Sequence, residues 1–112
     1  MEKFVIYAMR GDEMCFVHVL LNALDLNERG DEVKIVFEGA SVTLVPVFEE
    51  KQQPLYLRAK ELGLIAGVCK ACSATLGVLE DVQKTDLTLL DDMKGHAGLR
   101  PFVDKGYSVI TF

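Results

Sequence analysis

The first apolar run of the chain, residues 4–9 (FVIYAM), is short and unbroken, the pattern of a strand covered on both faces. Arg10, Gly11, Asp12 and Glu13 interrupt it; Asp12 suits a helix N-cap and Glu13 a first helical turn. From residue 14 to about 28 the period turns helical. Phe16, Val17, Leu20, Leu21 and Leu24 recur at three-and-four spacing, and Val19, Ala23 and Leu26 widen the stripe to most of the circumference. A helix apolar nearly all round is buried on two sides, and in a small domain the second side is often a subunit interface. Gly30 suits the position just past its end.

Residues 32–37 (EVKIVF) predict a second strand, ended by residues 38–41, with Ser41 a cap for the next helix. Residues 42–50 fit both periods. Thr43, Val45 and Val47 alternate as in a strand, whereas Leu44, Val47 and Phe48 have helical spacing. Their place after a buried strand favours helix, interrupted near Pro46 and Pro54. A further helix is expected to Leu62, stopped by Gly63. Residues 64–68 read as a third strand, 70–76 as a short helix, and 80–85 as a polar lead into a fourth strand at 87–90. A helix over 98–105, with Pro101 in its first turn, leads to a fifth strand at 107–112. Strands alternating with helices predict a three-layer α/β/α fold with a mainly parallel, five-stranded sheet. Right-handed crossovers then gather residues 10–12, 38–41, 67–72 and 91–96 at one sheet edge, where open α/β sheets bind ligands.

Composition narrows the classes. A chain of 112 residues is one domain, residues 1–112, and half of those residues are hydrophobic. The net charge of −5 includes no basic cluster, which disfavours nucleic-acid binding. No apolar tract is long enough to span a membrane, and residues 1–3 lead straight into a strand, so a cytoplasmic protein is expected. Three cysteines, an odd number, argue against a disulfide framework. No phosphate-binding glycine loop and no nucleophile elbow is present.

The chemistry concentrates at Gly67-Val68-Cys69-Lys70-Ala71-Cys72-Ser73. Here a C-x-x-C pair falls where the third strand gives way to a helix. A thiol at that corner is expected to be exposed and favoured as thiolate. Three functions fit: thiol–disulfide exchange, metal binding and persulfide chemistry. The first lacks a Trp-Cys-Gly-Pro context and a cis-proline candidate. For the second, Cys15 and His18 form a C-x-x-H that would complete a tetrahedral zinc set with Cys69 and Cys72. A packed helix is the plainer account of those two residues, so no metal or cofactor is assigned. Around the cysteines, Arg10, Asp12, Gly39, Ser41, Lys70, Asp91 and His96 make up the candidate site edge. Plainer roles are expected for several of them: a cap for Asp12, a solvated head for Lys70, caps or loop charges for Asp91 and Asp92, and an exposed loop position for His96.

These residues also resemble a family. A cysteine ending the third strand, a short helix of small residues, Gly77-Val78, and the closing Asp104-Lys105-Gly106-Tyr107-Ser108-Val109-Ile110 are similar to the DsrE/DsrF/DsrH group, the YchN-like fold. That resemblance implies a sulfur-relay role, at most a sulfurtransferase-like carrier, with Cys69 as sulfur acceptor and Cys72 as auxiliary thiol. It also implies assembly as trimers or hexamers and exchange with sulfur-donor and sulfur-acceptor proteins. Leu76 departs from it, standing where similar proteins often have arginine. Two alternatives stay open: a non-catalytic oligomeric binding or regulatory module of the same fold, and a C-x-x-C dithiol redox or zinc protein.

Overall fold

A computed structural model describes all 112 residues. Five strands form one sheet: β1 (Lys3–Ala8), β2 (Glu32–Phe37), β3 (Ile65–Cys69), β4 (Leu89–Leu90) and β5 (Ser108–Thr111). Their order across the sheet is β4-β3-β2-β1-β5, and every pairing is parallel. The α/β prediction therefore holds, with the sheet parallel throughout.

Six helices connect the strands: α1 (Glu13–Glu28), α2 (Leu44–Lys51), α3 (Pro54–Glu61), α4 (Lys70–Thr75), α5 (Leu79–Gln83) and α6 (Arg100–Val103). A 3-10 turn over Gly39–Thr43 precedes α2. Asp12 caps α1 as expected, its carboxylate accepting from Cys15 N–H at 3.0 Å. The register Ile6↔Ile35 and Ala8↔Phe37 puts these residues on one face. There Phe16 of α1 stacks on Phe37 with ring centroids 4.4 Å apart, and Phe48 and Tyr56 extend the cluster. Residues Lys3, Tyr7 and Glu32 mark the other face. Residues 91–107 cross that face from β4 to β5: Lys3 Nζ donates to the Lys105 carbonyl at 2.6 Å, and the Tyr107 hydroxyl meets Glu32. Helices α1 to α3 thus lie on one face, and the mostly irregular crossover that carries α6 covers the other, in keeping with the expected three layers.

Several boundaries shift from the sequence expectation. Pro46 does not interrupt a helix: it is the third residue of α2, where its missing N–H would have had no intrahelical acceptor. The break falls instead at Gln52, with φ of 51°. Ser41 does not cap α2, which has Thr43 at its N-cap and no side-chain cap; it lies inside the 3-10 turn. Glu38 is the cap of the 3-10 turn, and the Ser41 hydroxyl accepts from Glu38 N–H at 3.1 Å. Helix α5 overlaps the expected polar lead, held by buried Val82. The fourth strand shrinks to Leu89–Leu90 and the last helix to a single turn, Arg100–Val103. Gly67 is needed where β3 meets β4, because a Cβ there would lie 2.6 Å from the Thr88 carbonyl oxygen.

Candidate functional site

The carboxyl ends of three strands and one turn meet at a single point. Phe37 ends β2, and Glu38 follows it with its carboxylate turned inward; only 7% of that side chain is exposed. Cys69 ends β3 and serves as N-cap of α4, its sulfur accepting from Cys72 N–H at 3.4 Å. Cys72 lies one helical turn on, so the C-x-x-C spacing brings both thiols to the same side. Tyr7, near the end of β1, places its hydroxyl between the Glu38 carboxylate (2.7 Å) and the Ala97 carbonyl.

The fourth contributor arrives from the crossover. Met93 and His96 form a bridge, each accepting the other's N–H at 2.8–2.9 Å. Between them Lys94 and Gly95 have φ of 50° and 89°. Positive φ at both central residues is the mark of a type I′ turn, which glycine at the second position favours. The turn is tied to the cysteine corner by Ala71 N–H donating to the Gly95 carbonyl at 2.8 Å. It delivers His96 Nδ1 to 3.3 Å from Cys69 Sγ, 3.5 Å from Cys72 Sγ and 3.6 Å from Glu38 Oε1. One ligand-type atom from each of Glu38, Cys69, Cys72 and His96 lies within 4.8 Å of all the others.

The electrostatics of the cluster follow from who donates to whom. Burial pushes the Glu38 carboxyl up, but hydrogen bonds from Cys72, Tyr7 and the Gly39 N–H outweigh it and hold the group below its ordinary value. Glu38 is therefore a buried carboxylate kept charged by neutral donors. Burial and then the Glu38 carboxylate push the Cys72 thiol up to about 12, so it stays protonated and donates to Glu38 Oε1 at 3.0 Å. Burial, followed by the same carboxylate, raises the Tyr7 phenol above its ordinary value as well.

Two expectations for the cysteine corner need correction. Cys69 is not exposed: its exposure is 0%. Helix α4 begins at the next residue, so the side chain turns under the 93–96 turn instead of toward solvent. Nor is His96 a free loop residue, since the turn carries it into the cluster, although 43% of its side chain remains exposed. The remaining edge residues keep plainer roles. Arg10 is exposed on the β1–α1 turn. Lys70 pairs with Asp91 at 3.9 Å, both about half exposed. Asp92 accepts from Gly98 N–H at 3.1 Å. Gly39 lends its N–H to Glu38 at 3.4 Å, and Ser41 is buried with its hydroxyl 2.7 Å from the Ala8 carbonyl oxygen. Cys15 and His18 lie on α1, outside the cluster, with His18 exposed.

Glu38 and Tyr7 are site residues that the sequence reading did not single out. A trace of each was present. Glu38 is a carboxylate directly after the apolar run EVKIVF, and Tyr7 is the one hydroxyl inside FVIYAM.

No model of a known protein family matches the chain, and no solved structure matches it significantly. Two archaeal proteins are similar. The uncharacterized protein MJ0733 of Methanocaldococcus jannaschii is 36% identical over 94 residues, which covers 84% of this chain and 77% of that protein. An uncharacterized protein of Archaeoglobus fulgidus is 41% identical over 46 residues, 41% of this chain and 74% of that protein.

Proposed function

The chain belongs to the same family as the uncharacterized protein MJ0733, and we propose that it is a sulfur carrier that holds sulfane sulfur as a persulfide on Cys69. The observation that carries this reading is the contrast between the two thiols. Cys69 Sγ has an N–H donor and an imidazole nitrogen as partners, both able to face a thiolate. Cys72 Sγ also lies 3.5 Å from that imidazole nitrogen, but it donates to a carboxylate that keeps its proton in place. Cys69 is also the position that resembles the sulfur acceptor of the DsrE/DsrF/DsrH group.

The step balances without an external oxidant. The Cys69 proton passes to His96 Nδ1, and the Cys69 thiolate attacks the outer sulfur of a donor persulfide, R–S–SH. The Cys69–sulfur bond forms as the donor's S–S bond breaks. The donor leaves as R–S⁻ and takes the proton as R–SH. Cys69 is left as Cys69–S–SH, and the sulfane sulfur keeps its oxidation state throughout. Because Cys69 is covered, the 93–96 turn has to swing aside for the donor to reach it. No helix is long and apolar enough to cross a membrane, and on this reading the protein works in the cytoplasm. It does so as a homo-oligomer, a trimer or hexamer, that meets its donor and acceptor proteins at this sheet edge.

The test is mass spectrometry of the intact reduced protein after exposure to cysteine persulfide. One added sulfur atom on the wild type and on Cys72→Ser, and none on Cys69→Ser, is the expected result. Persulfide that persists in Cys69→Ser, or never forms on the wild type, removes the proposal.

A further inference from the structure

We propose that Glu38, Cys69, Cys72 and His96 form a four-coordinate site for a divalent transition-metal ion of the zinc type. The inference goes beyond sulfur transfer and does not depend on it, although it uses the same two thiols.

Geometry is the first argument. With metal bonds of about 2.0–2.3 Å to nitrogen, oxygen and sulfur, the edges of a coordination tetrahedron run from about 3.3 to 3.8 Å. Four of the six edges here measure 3.0, 3.3, 3.5 and 3.6 Å. The other two, from Cys69 Sγ to Cys72 Sγ and to Glu38 Oε1, are within 4.8 Å. Shifts of a few tenths of an ångström for most edges, on side chains that already converge, complete the polyhedron.

Donor chemistry is the second argument. Two thiols, an imidazole and a carboxylate match the ligand types of zinc, and C-x-x-C is one of its recurrent ligand spacings. Charge is the third. Within 4.0 Å of the buried Glu38 carboxylate, His96 is the basic side chain. A cation there replaces two thiol protons: the ion enters, both thiols become thiolates, and two protons leave to solvent. The outer contacts are also in place. Tyr7 OH holds the second oxygen of Glu38 at 2.7 Å, and Cys72 N–H supports Cys69 Sγ at 3.4 Å. Such contacts orient ligands and sharpen metal affinity. With four protein ligands the site is closed, so its expected effect is to fix the 93–96 turn and to silence both thiols.

The experiment uses the full, reduced chain with no sulfane donor present, so its outcome is independent of the persulfide test. Co²⁺ is added first as a spectroscopic probe, then Zn²⁺ in competition with a chromophoric chelator. One equivalent per chain, a sulfur-to-cobalt charge-transfer band and tetrahedral d–d bands are expected. Cys69→Ser and Cys72→Ser should each remove or greatly weaken that band, and Cys15→Ser should leave it intact. His96→Gln alters a half-exposed turn residue outside the core, so it keeps the test valid should a cysteine variant fail to fold. It should lower Zn²⁺ affinity, and Tyr7→Phe should lower it by about 10–100-fold. An octahedral cobalt spectrum without the charge-transfer band, or affinity unchanged in His96→Gln and Cys72→Ser, overturns the proposal.

Discussion

Cys69 and Cys72 are one helical turn apart and share His96 Nδ1, yet their other polar partners differ, an N–H for Cys69 and a carboxylate for Cys72. The Cys72 thiol donates to a buried carboxylate and is held as thiol, while Cys69 Sγ accepts from an N–H beside the imidazole. This division matters for a persulfide on Cys69. If Cys72 attacked it as thiolate, a Cys69–Cys72 disulfide would form and the sulfur would leave as sulfide. With the Cys72 thiol pushed up to about 12, first by burial and then by Glu38, that loss is suppressed near neutral pH. Glu38→Gln removes the charge that holds the proton. Sulfide release from the persulfidated protein at pH 8 should then rise by about ten-fold or more, as the thiol falls toward the ordinary cysteine range. Sulfide electrode traces on the two proteins check this, and equal rates would refute it. The C-x-x-C was legible in the sequence because a short-range spacing is all that it needs. His96 stood on the expected site edge but as an exposed loop residue, and Glu38 and Tyr7 were not singled out, since the contacts that bring these three to the site span 24 to 90 residues of chain. Only the sheet order and the crossover bring them together.

Among the elements, the link between α2 and α3 is made by polar groups as much as by packing. Glu49 of α2 accepts from the Tyr56 hydroxyl and from Lys60 Nζ of α3, each at 2.6 Å. Burial pushes the Glu49 carboxyl up, but the hydrogen bonds from Lys60 and Tyr56 prevail and hold it below the ordinary glutamate value. A carboxyl whose folded value lies below its unfolded one adds stability above about pH 4.3, and that stability is lost as pH falls through the folded value. Glu49→Gln should therefore cost about 1–2 kcal/mol at pH 7, and the gap from the wild type should narrow below pH 4. Urea unfolding of both proteins at pH 7 and pH 3.5 measures it; a gap independent of pH would count against the linkage. The sequence revealed those elements that carry their own pattern: β1, β2, β3 and α1 each have an apolar run or a helical stripe. It concealed α5, whose five residues show a single buried side chain, Val82. It overextended β4 and α6, whose flanking apolar residues pack without regular backbone pairing.

The whole molecule is covered unevenly, and the cysteines lie under the lighter cover. One face of the sheet has the aromatic cluster of Phe16, Phe37, Phe48 and Tyr56, buried beneath α1 to α3. The other is crossed by residues 91–107, where a four-residue helix is the longest regular piece and only Ala97 and Gly98 are buried. Backbone bonds within that crossover are local turns, and it is tied to the sheet mainly through side chains: Lys3 to Lys105, Tyr7 to Ala97, Tyr107 to Glu32 and His96 to the cysteines. Segments with few buried contacts open at lower free energy than the core they cover. Cys69 should thus become reactive by opening of the crossover and not by unfolding of the sheet. In dilute urea, below the unfolding transition, its alkylation rate should rise only shallowly, because such an opening exposes little surface. Amides of residues 93–107 should exchange with deuterium well before those of β1 to β3. Bound Zn²⁺ should slow both processes by fixing His96. If Cys69 labelling instead follows urea with the full slope of global unfolding, the sheet edge stays shut in the native protein. A persulfide donor would then have no route to the thiol.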